Sequence, residues 1–206
     1  MAKKAAMLYS GGLDSGAVLH DMVLNNGLDS LTLLMFNYGQ KAFEAEKASM
    51  ETMIHFYRGS DTDFEVFIID VSRMYGYLHS FGTLPTPLSG EFKASTSIIP
   101  WRNFIFLMQA VGYCEMHGID ILYYACGFDY EGPAWDSNPA ALGLFETFIE
   151  KINKAIEVEQ VRHDVPVTSR RTAVKVFSAV MLQDRAAYIN EQILTGFPVH
   201  LSLIHI

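Results

Sequence analysis

The stretch that decides the fold runs Ala5-Ala6-Met7-Leu8-Tyr9-Ser10-Gly11-Gly12-Leu13-Asp14-Ser15-Gly16-Ala17-Val18-Leu19. It opens with a short apolar run, Ala5 to Tyr9, that reads as a buried strand. From Ser15 to Asn25, Val18, Leu19, Met22 and Val23 share one helical face, and Asn25-Asn26-Gly27 supplies the stop. Between strand and helix lies Ser10-Gly11-Gly12-Leu13-Asp14-Ser15. Its two glycines let the backbone turn sharply and approach a ligand with no Cβ in the way. The following helix aims its unbonded N–H groups and positive dipole end at the loop. Ser10 and Ser15 add hydroxyl donors, so the segment reads as an anion nest suited to pyrophosphate. A carboxylate at position 14 should repel phosphate. Asp14 fits if a magnesium ion bridges it to the phosphates, or if it orients the loop's own N–H groups. The plainer alternative is a glycine-rich turn with Asp14 as a helix cap.

Outward from this unit, apolar runs alternate with helical patterns, the signature of a parallel sheet wrapped by helices. Strands are expected over 31–36, 64–69, 121–125 and 161–167. Helices are expected over 41–57, over 102–117 and from Pro139 to about Glu157, with Asn138 as the cap of the last. Residues 170–195 read as one or two further helices. The helix over 102–117 is almost wholly apolar and is expected to be deeply packed. Residues 82–100, with Pro85, Pro87, Gly90 and Pro100, read as a lid or binding loop, and 127–138 as a second irregular, polar loop. The expected fold is α/β and doubly wound, a mostly parallel sheet of about five strands in a single domain. It spans residues 1–206, with its core over about 5–180 and with 196–206 outside that core.

Composition narrows the classes. The chain is 50% hydrophobic and 18% charged, enough to bury a core and too apolar for a disordered chain. A charge or a glycine interrupts every long apolar stretch, so no membrane span is expected. Met1-Ala2-Lys3-Lys4 leads into an apolar stretch too short for a signal peptide, and the reading is cytoplasmic. A net charge of -8 argues against direct nucleic-acid binding, so phosphate attraction must be local. Cys114 and Cys126 form no CxxC pair and lie in apolar surroundings. They read as buried free thiols, and no zinc is expected.

The loop is neither a GK[ST] phosphate loop nor a GxGxxG dinucleotide loop. Ser-Gly-Gly-x-Asp-Ser after a first strand resembles the PP-loop of the ATP-pyrophosphatase superfamily. Three further segments resemble one of its families, the 7-cyano-7-deazaguanine synthases of the queuosine pathway. They are Phe36-Asn37-Tyr38-Gly39-Gln40 with Glu44 one turn on, Ile99-Pro100-Trp101-Arg102-Asn103, and Gly127-Phe128-Asp129-Tyr130-Glu131-Gly132-Pro133-Ala134-Trp135-Asp136. The likeness covers about residues 5–180. It implies an adenine-nucleotide-hydrolase-like fold and an ATP-dependent ligase that adenylates 7-carboxy-7-deazaguanine. Ammonia, from solution or a partner, then gives the nitrile, with AMP and pyrophosphate released. It implies that Ser10, Gly11, Gly12, Leu13, Asp14, Ser15 and Arg171 bind ATP. Tyr38, Gln40, Arg102, Asn103, Asp129 and Asp136 would bind the deazapurine, and Asp14, Ser15 and Arg102 would serve catalysis.

On the residues alone, Tyr38 offers a ring to a flat base and Gln40 an amide to its edge, against a turn with a packed tyrosine. Arg102 is a fork donor for a phosphate or carboxylate, against a structural ion pair. Asp129 and Asp136 suit substrate hydrogen bonds or magnesium, against loop-tip solvation.

The sequence departs from the family pattern in three places. No Cys-rich zinc tail follows the last strand. Ala134-Trp135-Asp136-Ser137 stands where the family has Tyr-Pro-Asp-Cys. The family's lysine near the last helix falls on Arg170 or Arg171. Truncation, an artefact of the gene end, and a reduced or phage-like member are all open readings of Val199 to Ile206. Two other functions stay open: another PP-loop adenylating enzyme that forms a deazapurine amide or modifies tRNA or protein, and a nucleotide-binding module without turnover. A homodimer is open as the assembly.

Overall fold

The computed structural model describes residues 3–75, 101–125, 139–162, 175–177 and 185–201. The elements run β1 (Lys4–Leu8), α1 (Leu13–Asn25), β2 (Ser30–Asn37), α2 (Phe43–Phe56), β3 (Asp63–Asp70), α3 (Ser72–Tyr75), α4 (Arg102–His117), β4 (Ile121–Tyr124), α5 (Pro139–Arg162), β5 (Lys175–Phe177) and α6 (Arg185–Leu194). A 3-10 turn, Val199–Leu201, follows. The sheet has the order β3-β2-β1-β4-β5, and every pairing is parallel.

Strand alternation divides the core in two. Met7 of β1 with Leu31, Leu33 and Met35 of β2 face Val18, Leu19 and Met22 of α1, Met50 and Met53 of α2, and Tyr188 and Ile189 of α6. Ala6 and Leu8 of β1 with Leu34 and Phe36 of β2 face Leu107, Ala110, Val111 and Cys114 of α4 and Phe145 and Ile149 of α5. Helices on both faces bury β1 from either side, which is why it reads as an unbroken apolar run. The doubly wound reading therefore holds. Among the described residues no helix is long and apolar enough to cross a membrane.

Three expectations are corrected. The fifth strand is Lys175–Phe177, not 161–167: α5 continues through 161 and 162, and 163–167 lie outside the described residues. Residues 170–195 accordingly contain that strand as well as α6. The helix α4 is deeply packed on one face only. Leu107, Ala110 and Cys114 are buried, whereas Met108 and Met116 are 47% and 84% exposed, because the sheet covers a single side of it. Cys114 is a free buried thiol, pushed up to about 12 by burial and then by Glu115, and so held in the unreactive form. Cys126 lies outside the described residues.

The segment after α6 belongs to the core. Phe197 is buried, and Val199 and Leu201 pack on the α1–α2 side. His20 of α1 fastens it. Its Nδ1 meets the Tyr57 hydroxyl at 2.5 Å and its Nε2 meets Thr195 Oγ1 at 3.0 Å, while its ring lies 5.7 Å from that of Phe197. Burial lowers its pKa from the ordinary 6.5, against the opposing pull of the Thr195 hydrogen bond and Asp21. The sign follows from linkage. A depressed folded pKa gives stability that is complete above the unfolded value and is lost as the pH falls through the folded one. Melting temperature should therefore drop on acidification from about pH 7 to 5, with His20 contributing at most about 1.4 kcal/mol per pH unit. Thermal unfolding of His20→Gln across this range should show a shallower slope, and an unchanged slope would remove His20 from this role.

Candidate active site

The carboxyl ends of β1 and β2 lie side by side, and each is followed by one of the segments singled out in the sequence. After β1, the Tyr9 N–H still bonds the Leu34 carbonyl of β2 at 3.0 Å. The chain then turns through Gly11 at φ +71 and enters α1 with Gly12 at the cap position in an extended conformation. A cap glycine has no side-chain oxygen to turn back on the first-turn amides, so the loop leaves the helix N-terminus suited to a bound anion. Asp14 therefore sits inside the first turn of α1 and is not its cap. Ser15 Oγ donates to the Gly12 carbonyl at 2.9 Å and lies 3.2 Å from Ser10 Oγ. Ser10 is exposed and Leu13 packs inward against the core.

Helix α2 braces this loop from behind. A Cβ on Gly11 would stand 2.8 Å from the Glu46 carbonyl oxygen and 2.9 Å from its Cα. Ser49 Oγ, one turn further along α2, has the Gly11 carbonyl at 3.0 Å and the Leu201 carbonyl at 2.8 Å as acceptors for its single hydrogen. Neither Glu46 nor Ser49 stood out in the sequence. Their i, i+3 spacing on one helical face was the available signal. Glu44, the acid the sequence singled out, is exposed.

After β2 the chain folds into a tight turn. The Gly39 N–H donates to Asn37 Oδ1 at 3.1 Å, with Gly39 at φ +84, and the Tyr38 N–H donates to Gln40 Oε1 at 2.9 Å. Gln40 is only 5% exposed, and its Nε2 donates to the Phe36 carbonyl at 2.8 Å and to Glu46 Oε2 at 2.9 Å. The expectation that Gln40 presents its amide to a ligand edge is corrected. Both amide hydrogens are committed inside the protein, and the side chain locks the turn.

That turn presents Tyr38 to the start of α4. The phenol ring lies 5.5 Å from that of Phe106 and 5.5 Å from Arg102 Cζ, and Arg102 Nη1 approaches the Tyr38 hydroxyl at 3.5 Å. Burial raises the Tyr38 pKa, with Glu46 adding to the rise and Arg102 opposing it, so the hydroxyl stays protonated well above neutrality. Arg102 Nε reaches Asn103 Oδ1 at 3.4 Å, and Asn103 itself is buried. Among the described residues no carboxylate lies within ion-pair distance of Arg102, whose planar fork suits a phosphate or a carboxylate. Trp101, immediately before, is 56% exposed and holds a left-handed backbone at φ 63. A non-glycine residue there costs about 1–2 kcal/mol.

Tyr38, Arg102 and Asn103 thus form one cluster, and Ser10 to Ser15 another on the neighbouring strand. Asp129, Asp136 and Arg171 lie outside the described residues, as do 82–100 and 127–138. Among the described residues no group of three or more His, Cys, Asp or Glu side chains could hold a metal ion.

A five-stranded parallel doubly wound sheet with this loop after its central strand defines a class. The chain is an enzyme of the PP-loop type. The family model of the queuosine biosynthesis protein QueC matches residues 4–190, and the chain belongs to that family. It is 30% identical over 191 residues to the 7-cyano-7-deazaguanine synthase of Ralstonia pickettii (strain 12J), covering 88% of this chain and 80% of that one. It is also 30% identical over 168 residues to the synthase of Coxiella burnetii (strain RSA 493 / Nine Mile phase I), covering 80% and 72%. A solved 4-thiouridine synthetase, in complex with RNA and bound ATP, shares the fold at TM-score 0.58 and 15% identity, over 98% of this chain and 42% of that one.

Proposed function

We propose that the chain converts 7-carboxy-7-deazaguanine, ATP and ammonia into 7-cyano-7-deazaguanine, AMP and pyrophosphate. The observation that carries this reading is the pairing of two segments on adjacent strands: a glycine-capped helix start for phosphates and a Tyr38–Arg102 pair for a flat acid. The acid's carboxylate oxygen attacks the α-phosphorus of ATP, and the bond to pyrophosphate breaks. Ammonia displaces AMP from the acyl adenylate and, on losing a proton, leaves the amide. The amide oxygen attacks the α-phosphorus of a second ATP, which expels pyrophosphate, and the nitrogen loses a proton. Loss of AMP and a proton then forms the carbon–nitrogen triple bond.

The chain's own part is alignment and charge neutralisation. The amides of the loop and α1, that of Ser15 among them, hold the phosphates with the Ser10 hydroxyl, while the Ser15 hydroxyl, buried and donating to the Gly12 carbonyl, shapes the loop. Arg102 holds the substrate carboxylate or the developing charge. Tyr38 provides the aromatic wall and Asn103 a polar contact. Asp129 and Asp136 are assigned to the deazapurine and Arg171 to ATP. Asp14, partly exposed beside the anion nest, would be the side chain to hold a magnesium ion, which when bound would supply positive charge against the departing pyrophosphate.

Incubation with ATP and the acid, with products read by mass spectrometry, should give AMP, pyrophosphate and the nitrile. ADP and orthophosphate would overturn the α–β cleavage. AMP with no nitrile would overturn the substrate.

A further inference from the structure

One residue touches both halves of the site. The main chain of Glu46 is what Gly11 packs against, at the distances given above, so it fixes how far the phosphate loop can sit from α2. The side chain of the same residue is 7% exposed and accepts from Gln40 Nε2 at 2.9 Å. Gln40 in turn accepts the Tyr38 N–H, and Tyr38 carries Arg102 on its ring and hydroxyl. We infer that Glu46 is a positioning residue, which through Gln40 registers the Tyr38–Arg102 pair against the phosphate loop.

The chemistry of the amide supports this. Gln40 Nε2 has two hydrogens, and the acceptors for them are the Phe36 carbonyl and the Glu46 carboxylate. A carboxylate only accepts, so an amide turned the other way would set its oxygen against two acceptors and its NH₂ against the Tyr38 N–H. The bond to Glu46 is charge-assisted and buried, hence the strongest of the three. Without it, a buried N–H loses its partner and the turn loses its anchor to α2. Glu44 cannot substitute, since α2 turns it to solvent.

The inference rests on the proposed function only for the identity of the ligand, and hydrogen exchange tests it with no ligand present. The Tyr38 amide should exchange about ten- to a hundredfold faster in Glu46→Leu, the range expected for one hydrogen bond to a charged group. Glu46→Gln, which keeps an acceptor oxygen, should stay near the wild-type rate. Gln40→Ala should match Glu46→Leu, and the double variant should be no faster than Gln40→Ala alone. Glu46→Ser provides the same comparison should the leucine chain not fold. In turnover, Glu46→Leu should raise KM for 7-carboxy-7-deazaguanine about tenfold or more while leaving KM for ATP within about threefold. An unchanged Tyr38 exchange rate, additive effects in the double variant, or failure of Glu46→Gln to restore protection would each overturn the role. Wild-type protein inert toward the acid would instead overturn the proposed substrate and leave the exchange test standing.

Discussion

Gly11→Ala should lower ATP-dependent turnover at least about a hundredfold, the penalty expected of a misplacement near 1 Å, and should also weaken ATP binding. Two independent effects act at this position. The backbone is left-handed, at φ +71, which costs an L-residue about 1–2 kcal/mol. The new methyl carbon would also stand 2.8 Å from the Glu46 carbonyl oxygen and 2.9 Å from its Cα. Those are main-chain atoms of α2, so no side-chain rotation relieves the contact, and overpacking of this kind costs about 1–3 kcal/mol. The route to relief is movement of the phosphate loop away from α2, which carries the Gly12 cap and the first-turn amides with it. Gly27→Ala separates the two effects. Gly27 has φ +53, but a Cβ there meets nothing within 4 Å, so only backbone strain applies and ATP binding should survive. Calorimetric titration with ATP, beside thermal unfolding of both variants, reads the difference. Wild-type ATP affinity in Gly11→Ala would show that this loop does not hold the phosphates.

The sequence carried the parts whose signal is local. The loop, its two flanking elements and the nearness of Tyr38 to Arg102 all follow from short spacings and from the rule that parallel sheets bind ligands at their carboxyl ends. What it did not carry was set by packing. Gln40 looked like a recognition amide because its type suits one; only the fold shows Phe36 and Glu46 taking both its hydrogens. Glu46 was overshadowed by Glu44, because the helix begins at Phe43 after a tight turn and its phase cannot be read before that start is known. The fifth strand is three residues long, too short for a period of two to stand out, whereas the apolar spacing of α5 runs smoothly past the point where a strand was expected. The C-terminal turn resembled nothing in the family pattern, yet Phe197 and Leu201 fill the α1–α2 side of the core.

Asp14→Ala should lower turnover about a hundred- to a thousandfold, the scale seen when one preorganised electrostatic contact to a transition state is removed. Its effect on folding should be small. Asp14 lies in the first turn of α1, partly exposed, where an acid is worth about 0.3–1 kcal/mol through the helix dipole. A large loss of rate beside a small loss of stability is what separates a residue acting on the phosphates from one that only shapes the helix start. The two roles open to the carboxylate differ in Asp14→Asn. An amide keeps the size and one acceptor oxygen, so it would preserve an orienting hydrogen bond to loop amides and most of the rate. It is a much poorer ligand for magnesium, so if Asp14 shares a metal with the phosphates, Asp14→Asn should be nearly as slow as Asp14→Ala. Raising magnesium should then recover part of the lost rate in Asp14→Asn, through tighter occupancy of the weakened site, and little in Asp14→Ala. The measurement is pyrophosphate release against magnesium concentration for the three chains, with unfolding curves to confirm that each is folded. Full activity in Asp14→Ala would place Asp14 outside the site and leave the loop amides and Arg102 as the phosphate-facing groups.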